Sequence, residues 1–337
     1  MGNNMIDTLP SEQHNAFAWY GPDMQQRESE WLSFFTQDEI KELEIAAERI
    51  ASSGKNFLEI TAEDFPLPIL APKLLELRKE LTRGKGFALL HGLPVEKYSE
   101  VESGIIFCGL GAHLGRTMPQ NAQGHLLGHV RDIGMKSDDP NVRIYQTSER
   151  QTFHTDSCDV VGLLCLNTAK RGGLSMLVSS TTIFNEMRNS RPDLVQLLFE
   201  PIATDRRGEV PPGMLPYFLI PVFNYYKGYL TVIYQRQYIE SAQRFPDAPR
   251  LTEKHKEVLD LFDELANSPR LNLSMELEPG DMQFVYNHTL LHDRTAFEDW
   301  EDDNKKRHLL RLWLAVPGDR PLPEIFATKF TDRIPAQ

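Results

Sequence analysis

The chain has 337 residues, 41% of them hydrophobic, which is enough to fill the core of one large domain or two modest ones and speaks against a disordered chain. Its 48 acidic and 36 basic residues give a formal charge of -12, which argues against a nucleic-acid surface, because holding phosphates takes clustered Lys and Arg. Cys108, Cys158 and Cys165 form no CxxC pair and no disulfide framework, so a reducing compartment fits best. No apolar run approaches the ~20 residues of a membrane span, the start has no hydrophobic signal core, and the opening Met-Gly has Ile6 where a myristoylation site wants Ser or Thr. The expectation is a cytoplasmic protein with a small-molecule partner, no nucleic-acid or membrane partner, and self-association left open.

In chain order, residues 1–35 are polar and aperiodic and read as an N-terminal arm. Thr36 and Glu39 form a capping box ahead of Ile40, Leu43, Ala47 and Ile50, which share one helical face. Leu70, Leu74, Leu77 and Leu81 predict a second helix stopped near Gly84, residues 87–94 a buried strand, and residues 99–114 a third helix. From about Val142 the pattern changes to short strands broken by Gly and Pro, at 160–166, 175–178, 229–234, 271–277, 282–286 and 309–316. One helix, 253–267, interrupts them. Helices in front and many short strands behind predict a mainly β fold with flanking α: a sheet core or barrel with helices packed outside. With no linker in sight, residues 36–337 read as a single domain carrying an insertion at about 190–251.

The stretch "FHTDSCDV" carries His154 and Asp156 two residues apart. In a strand both would point to the same face and could ligate one metal. A third ligand is available in "EPGDMQFVYNHTLLHDR", from His288 or His292. Two histidines and one carboxylate with adjacent open positions are the donor set of non-haem Fe(II) oxygenases. "KRHLLRLWLAV" adds Arg307 and Arg311, four apart in an apparent strand, and a guanidinium fork suits a carboxylate. Each piece also has a plain structural reading. An isolated H-x-D is common, His292 could be a hydrogen-bonded core histidine, Arg307 could close the exposed basic run begun by Lys305, and Arg311 could form a barrel-end salt bridge. Cys158 and Cys165 read as buried small hydrophobes.

In this order the motifs resemble the TauD/TfdA-like Fe(II)- and 2-oxoglutarate-dependent dioxygenases, from about Arg83 to Pro317. "GFALLHGLP" is similar to the family's early strand, "FHTD" to its H-x-[DE] motif and "RGGLS" to its GG-x-[ST] element. "YNHTLLH" is similar to N-x4-H and "RHLLR" to the terminal R-x3-R, and further stretches resemble members common in filamentous fungi. The resemblance implies a double-stranded β-helix, or jelly roll, buttressed by helices. It implies His154, Asp156 and His292 as iron ligands, with His288 outside the register and in a supporting position. It further implies Arg307 and Ser175 on the distal carboxylate of 2-oxoglutarate, Arg311 toward an anionic group of the substrate, and Fe(II), 2-oxoglutarate and dioxygen as the reaction's requirements. The expected reaction is oxidation of an unactivated C–H bond of a small, carboxylate-bearing, amino-acid-like substrate, by hydroxylation, desaturation or ring closure, in fungal secondary metabolism. Where the taurine enzymes carry Thr, Ser175 keeps the hydroxyl, and their substrate contacts find no match here.

The rival readings are a cupin-like metal-binding jelly roll without oxygenase activity, a non-catalytic interaction protein and a hydrolase. The first two give Arg307 and Ser175 or an intact metal set no purpose, and the last lacks GxSxG and HExxH. Residues 119–134, rich in Gln, Asn, Gly and His, read either as a lid or as a solvated loop.

Overall fold

The computed structural model describes residues 9–121, 123–135 and 142–328. The periodicities that predict elements mostly form them. Thr36 accepts from the Glu39 N–H, and the Glu39 carboxylate accepts from the Thr36 N–H, starting the Gln37–Ser53 helix. The Ala71–Arg83 helix stops at Gly84. After a first turn carrying Glu100 and Glu102, the Glu100–Leu114 helix is mostly apolar, and most of it is buried.

Two antiparallel sheets form the core. The larger runs in the order Leu32–Phe34, Phe87–His91, Met282–Tyr286, Val160–Asn167, His308–Ala315 and Arg116–Met118, with Leu127–Val130 also paired to His308–Ala315. Among the described residues, only the Leu32–Phe34 strand of this sheet lies parallel to its neighbour. The smaller sheet runs Leu273–Met275, Ser175–Ser179, Leu290–Arg294 and Gln151–His154. Strand alternation sorts side chains between layers. Phe87 and Leu89 join Val161, Cys165, Leu177, Leu290 and Leu309 between the sheets. Ala88 and Leu90 face the other way and join Leu43, Leu74, Phe107, Leu164, Phe284 and Leu310 under the first three helices. The outer face of the small sheet, with Phe153, Val178 and Leu291, is covered by Ile183 and Phe184 of the Ser180–Ser190 helix and by Val258 and Phe262 of Glu253–Asn267. This is the predicted jelly roll, with helices on both outer faces. The turn at Pro279–Asp281 depends on Gly280, whose φ is +93° and whose Cβ would sit 1.9 Å from the Leu93 carbonyl oxygen.

The N-terminal segment corrects an expectation. Residues 1–8, with the Met-Gly start, lie outside the described residues, but the remainder of the expected arm is packed into the fold. Phe17, Trp19, Met24 and Trp31 are buried. The Trp19 indole donates to the Lys85 carbonyl at 2.9 Å, the Trp31 indole to the Met24 carbonyl at 2.8 Å, and Leu32–Phe34 extends the large sheet. Single large anchors in a polar, aperiodic stretch have no period to reveal them. The Ser180–Ser190 helix, absent from the sequence reading, is built similarly: the hydroxyls of Ser179, Ser180 and Thr182 donate to the carbonyls of Phe17, Thr289 and Trp19. Residues 190–251, expected as an insertion, carry the hairpins Ile202–Asp205 with Tyr217–Ile220 and Phe223–Tyr226 with Tyr229–Val232. They pack on the outer helices through Phe199, Phe223 and Leu230. No helix among the described residues is long and apolar enough to cross a membrane, and Cys108, Cys158 and Cys165 are buried free thiols.

Candidate metal centre and adjoining cavities

His154 and His292 face each other across the antiparallel pair Gln151–His154 and Leu290–Arg294, with ring centroids 4.2 Å apart. The sequence reading places no strand at 290–294, and it places Asp156 on the wrong kind of element. The strand ends at His154, so alternation does not bring Asp156 to the same face. The following loop does: the Asp156 N–H donates to Asn287 Oδ1 at 2.9 Å, and the Trp313 indole N–H donates to Asp156 Oδ2 at 2.9 Å. Asp156 Oδ1 lies 4.0 Å from His154 Nε2 and Oδ2 3.8 Å from His292 Nε2. One donor atom from each of the three side chains falls within 4.8 Å of the others.

The protonation states suit a cation. His154 Nδ1–H donates to the Thr152 carbonyl at 2.8 Å, which leaves Nε2 as the lone-pair nitrogen, at 2.8 Å from the Gln151 amide nitrogen. Burial pushes the His154 imidazole below its ordinary pKa and, with help from His154, takes His292 down to about 3. Burial pushes the Asp156 carboxyl up, but Arg311, His292, His154 and the Trp313 hydrogen bond outweigh it and hold Asp156 at about 2. Two neutral imidazoles and one carboxylate converge, the donor set and protonation that a ferrous ion needs. His288 is elsewhere: its Nε2 is 2.7 Å from Asp159 Oδ1, and its ring packs against Tyr286 and Phe326. The residue that supports Asp156 from this segment is Asn287.

A small cleft beside the triad is lined by Ser175, His292, Arg294, Arg307 and Arg311. Arg307 Nη1 and Arg294 Nε and Nη1 are buried with no hydrogen-bond partner among the described residues. Both guanidiniums lie over the Phe297 ring, at 5.2 and 4.7 Å from its centroid. Burial pushes the Arg307 pKa down to about 10; burial and then the Arg307 charge push Arg294 down to about 9. Isolated buried cations are costly, so orphaned N–H groups on two adjacent guanidiniums mark a place for an anion. The Ser175 hydroxyl, in the same cleft, donates to Gln283 Oε1 at 2.9 Å. Gly173, at φ +72°, lets the chain pass Arg307, since a Cβ there would lie 3.0 Å from Nε.

Arg311 stands between this cleft and a second cavity of about 630 Å³. Its Nε–H donates to Gln120 Oε1 at 2.7 Å, the Gln120 amide donates back to the Arg311 carbonyl at 2.7 Å, and the guanidinium lies 4.6 Å from the Tyr145 ring centroid. Arg311 Nη1 is also 3.8 Å from Asp156 Oδ2. The cavity reaches His154 and Asp156 on one side and is walled by residues 204–212 and 233–239 on the other. It is charged in both senses, with Arg143, Arg206 and Arg311 opposed by Asp205 and Glu209. Arg143 donates to the Tyr238 hydroxyl at 2.6 Å and pairs with Glu209. The 119–134 segment, read either as a lid or as a solvated loop, divides between cavity wall and sheet. Gln120, Asn121 and Gly124 line the cavity, Leu127–Val130 is a strand of the large sheet, and residue 122 lies outside the described residues.

Sequence reasoning missed Asn287, Trp313, Gln120 and Arg294 as parts of the site. Asn287 and Trp313 sat within quoted motifs, and Arg294 follows His292 by two positions on the same strand, so alternation would have placed it on the His292 face.

The model of the family described as "Taurine catabolism dioxygenase TauD, TfdA family" matches residues 50–313. A relative named "FR-33289 synthase" from Streptomyces rubellomurinus is 33% identical over 303 residues, covering 89% of this chain and 89% of its own length. The "Taurine hydroxylase-like protein SAT17" of Stachybotrys chartarum is 29% identical over 331 residues, covering 92% of this chain and 83% of its own. Among solved structures, asparagine oxygenase in complex with Fe(II), 3-hydroxyasparagine and succinate superposes with a TM-score of 0.66 at 16% identity, over 86% of this chain and 98% of that one.

Proposed function

The chain belongs to the TauD/TfdA family and is an Fe(II)- and 2-oxoglutarate-dependent oxygenase, and from that premise we propose that it oxidises an unactivated C–H bond of a small, carboxylate-bearing, amino-acid-like substrate. Ferrous ion, 2-oxoglutarate and dioxygen together supply the oxidant, and the residues of the chain supply position, charge and shielding.

In this reading His154, Asp156 and His292 hold the iron. Asn287 and Trp313 keep the Asp156 carboxylate in place, as outer hydrogen-bond partners do for metal-bound carboxylates. Arg307, with Ser175 in the same cleft and Arg294 adding a second cation, takes the distal carboxylate of 2-oxoglutarate. The cupin-like alternative leaves these buried guanidiniums without a purpose.

The substrate occupies the 630 Å³ cavity, and the observation that carries its assignment is the mixed charge of the walls. Arg311, steadied by Gln120 and Tyr145, presents positive charge at the end nearest Asp156. Of the two acidic residues, Asp205 is buried and held by Arg244 and the Ser241 hydroxyl, so Glu209, partly exposed beside Arg143, is the carboxylate within reach of an ammonium group. A zwitterion meets both kinds of wall. The asparagine-derived product in the asparagine oxygenase structure, and the production of a named metabolite by FR-33289 synthase, support an amino-acid-like substrate and a role in secondary metabolism. The test is succinate release from 2-oxoglutarate across a library of amino acids, other carboxylic acids, amines and neutral isosteres. Stimulation confined to neutral compounds would sink the proposal.

A further inference from the structure

Outside the catalytic cavities, three side chains from three different elements point at one another on the other side of the His308–Ala315 strand's start. His129 belongs to Leu127–Val130, His308 opens His308–Ala315, and Glu100 is in the first turn of the Glu100–Leu114 helix, which a Ser99–Glu102 capping box fixes in place. His129 Nδ1 lies 2.9 Å from His308 Nε2. The Glu100 carboxylate lies 3.7 Å from His129 Nδ1 through one oxygen and 3.7 Å from His308 Nδ1 through the other. One donor atom from each of the three falls within 4.8 Å of the others.

We propose that Glu100, His129 and His308 form a second metal site, selective for a borderline divalent ion of the zinc type. A tetrahedral zinc ion with bonds of about 2.0–2.1 Å holds its donor atoms roughly 3.3 Å apart, and the contacts here, 2.9 and 3.7 Å, straddle that spacing. An imidazole–imidazole hydrogen bond explains the shortest contact. It does not explain a carboxylate oxygen 3.7 Å from the same His129 Nδ1, too long for hydrogen bonding and suited to donors sharing a cation. The 3.7 Å approach to His308 runs through Nδ1, which cannot serve the same ion as Nε2, so Nε2 is the His308 ligand. The supports are rigid: both strands belong to the large sheet, with Leu310 paired to His129 in register. Two imidazoles and a carboxylate are a donor set that suits Zn(II), Co(II) and Ni(II). The rings present lone pairs at neutral pH, since burial lowers the pKa of His129 and takes His308 down to about 4. The Arg131 charge opposes a cation here and Glu100 offsets it. His308 is buried, while His129 and Glu100 are open to solvent, so an entry path exists on their side and the fourth coordination position falls to water. An ion bound here would tie the segment that carries Gln120 to the strand that carries Arg311.

The test counts Co(II) bound by the chelator-treated full chain and reads its visible d–d absorption. Two equivalents are expected in the native chain, one in His292→Ala, and none in His292→Ala with His129→Ala. Zn(II) should displace the second equivalent, and Glu100→Gln should weaken it at least tenfold. Should His292→Ala fail to fold, the catalytic site is blocked instead with Fe(II) and 2-oxoglutarate under argon, and His129→Ala, a solvent-exposed change, is scored alone. A single equivalent in the native chain that vanishes in His292→Ala overturns the second site, as does a second equivalent that survives both His129→Ala and Glu100→Gln. Neither result touches the oxygenase reading, which rests on the first equivalent.

Discussion

Replacing Arg307 with Met should move stability and ligand binding in opposite directions. The guanidinium is buried, its Nη1 has no partner among the described residues, and burial holds its pKa at about 10. At 1.36 kcal/mol per pH unit, that depression corresponds to roughly 3 kcal/mol spent on keeping the cation charged in the folded, ligand-free protein. Met removes the charge, keeps most of the stem's packing and gives up the contact with Phe297, worth about 1 kcal/mol. The net is about 2 kcal/mol of stabilisation, or roughly 3 °C in Tm for a chain of this size. A depressed base carries its cost fully below its folded pKa and sheds it as pH rises through that value. The advantage of the variant should therefore hold from neutral pH to 9 and shrink above 10. Binding should move the other way. Losing a buried charge partner for a carboxylate costs about 2–5 kcal/mol, so 2-oxoglutarate affinity should fall roughly 30-fold or more. Calorimetric melts of the metal-free protein, and anaerobic titration of the Fe(II)–2-oxoglutarate visible band, read the two effects separately. A variant that melts several degrees lower and binds 2-oxoglutarate like the native chain would refute the argument that this cation is held in readiness for an anion.

Arg311→Leu should raise the substrate KM much more than the KM for 2-oxoglutarate; equal rises would move Arg311 out of the substrate site. Trp313→Phe deletes the indole hydrogen bond to Asp156 Oδ2 and should weaken Fe(II) binding about tenfold, in line with the loss of an outer partner of a metal ligand, as measured by anaerobic iron titration. Gly173→Ala combines an unfavourable φ of +72° with a Cβ 3.0 Å from Arg307 Nε. It should raise the KM for 2-oxoglutarate several-fold and leave iron binding in the absence of 2-oxoglutarate unchanged. Gln120→Leu frees Arg311 from its Nε partner, and the expected result is a several-fold loss in substrate kcat/KM with the 2-oxoglutarate KM preserved.

Much of the architecture could be read from local pattern. The capping box at Thr36, the leucine spacing from Leu70 to Leu81 and the apolar period from residue 253 to 267 each describe a helix whose buried face is set by neighbours three and four residues away. The Ser180–Ser190 helix and the docked N-terminal segment were illegible for the converse reason. What holds them are hydroxyl and indole hydrogen bonds to carbonyls as many as 163 residues distant, which leave no period behind.

The same division runs through the site. The residue types and their order, a histidine and an aspartate, then a distant histidine, then two arginines, are properties of the chain and point to a ferrous, 2-oxo-acid chemistry before any fold is known. Which atoms meet is a property of the fold. The register that sets His292 opposite His154 and the loop that swings Asp156 back toward Trp313 and Asn287 come from contacts between segments far apart in sequence, and the two sheets together bring Arg294 and Arg307 to one cleft. A strand encodes its own alternation, but its partner and its register are chosen by the whole sheet, because burying one face of every strand at once is what decides them.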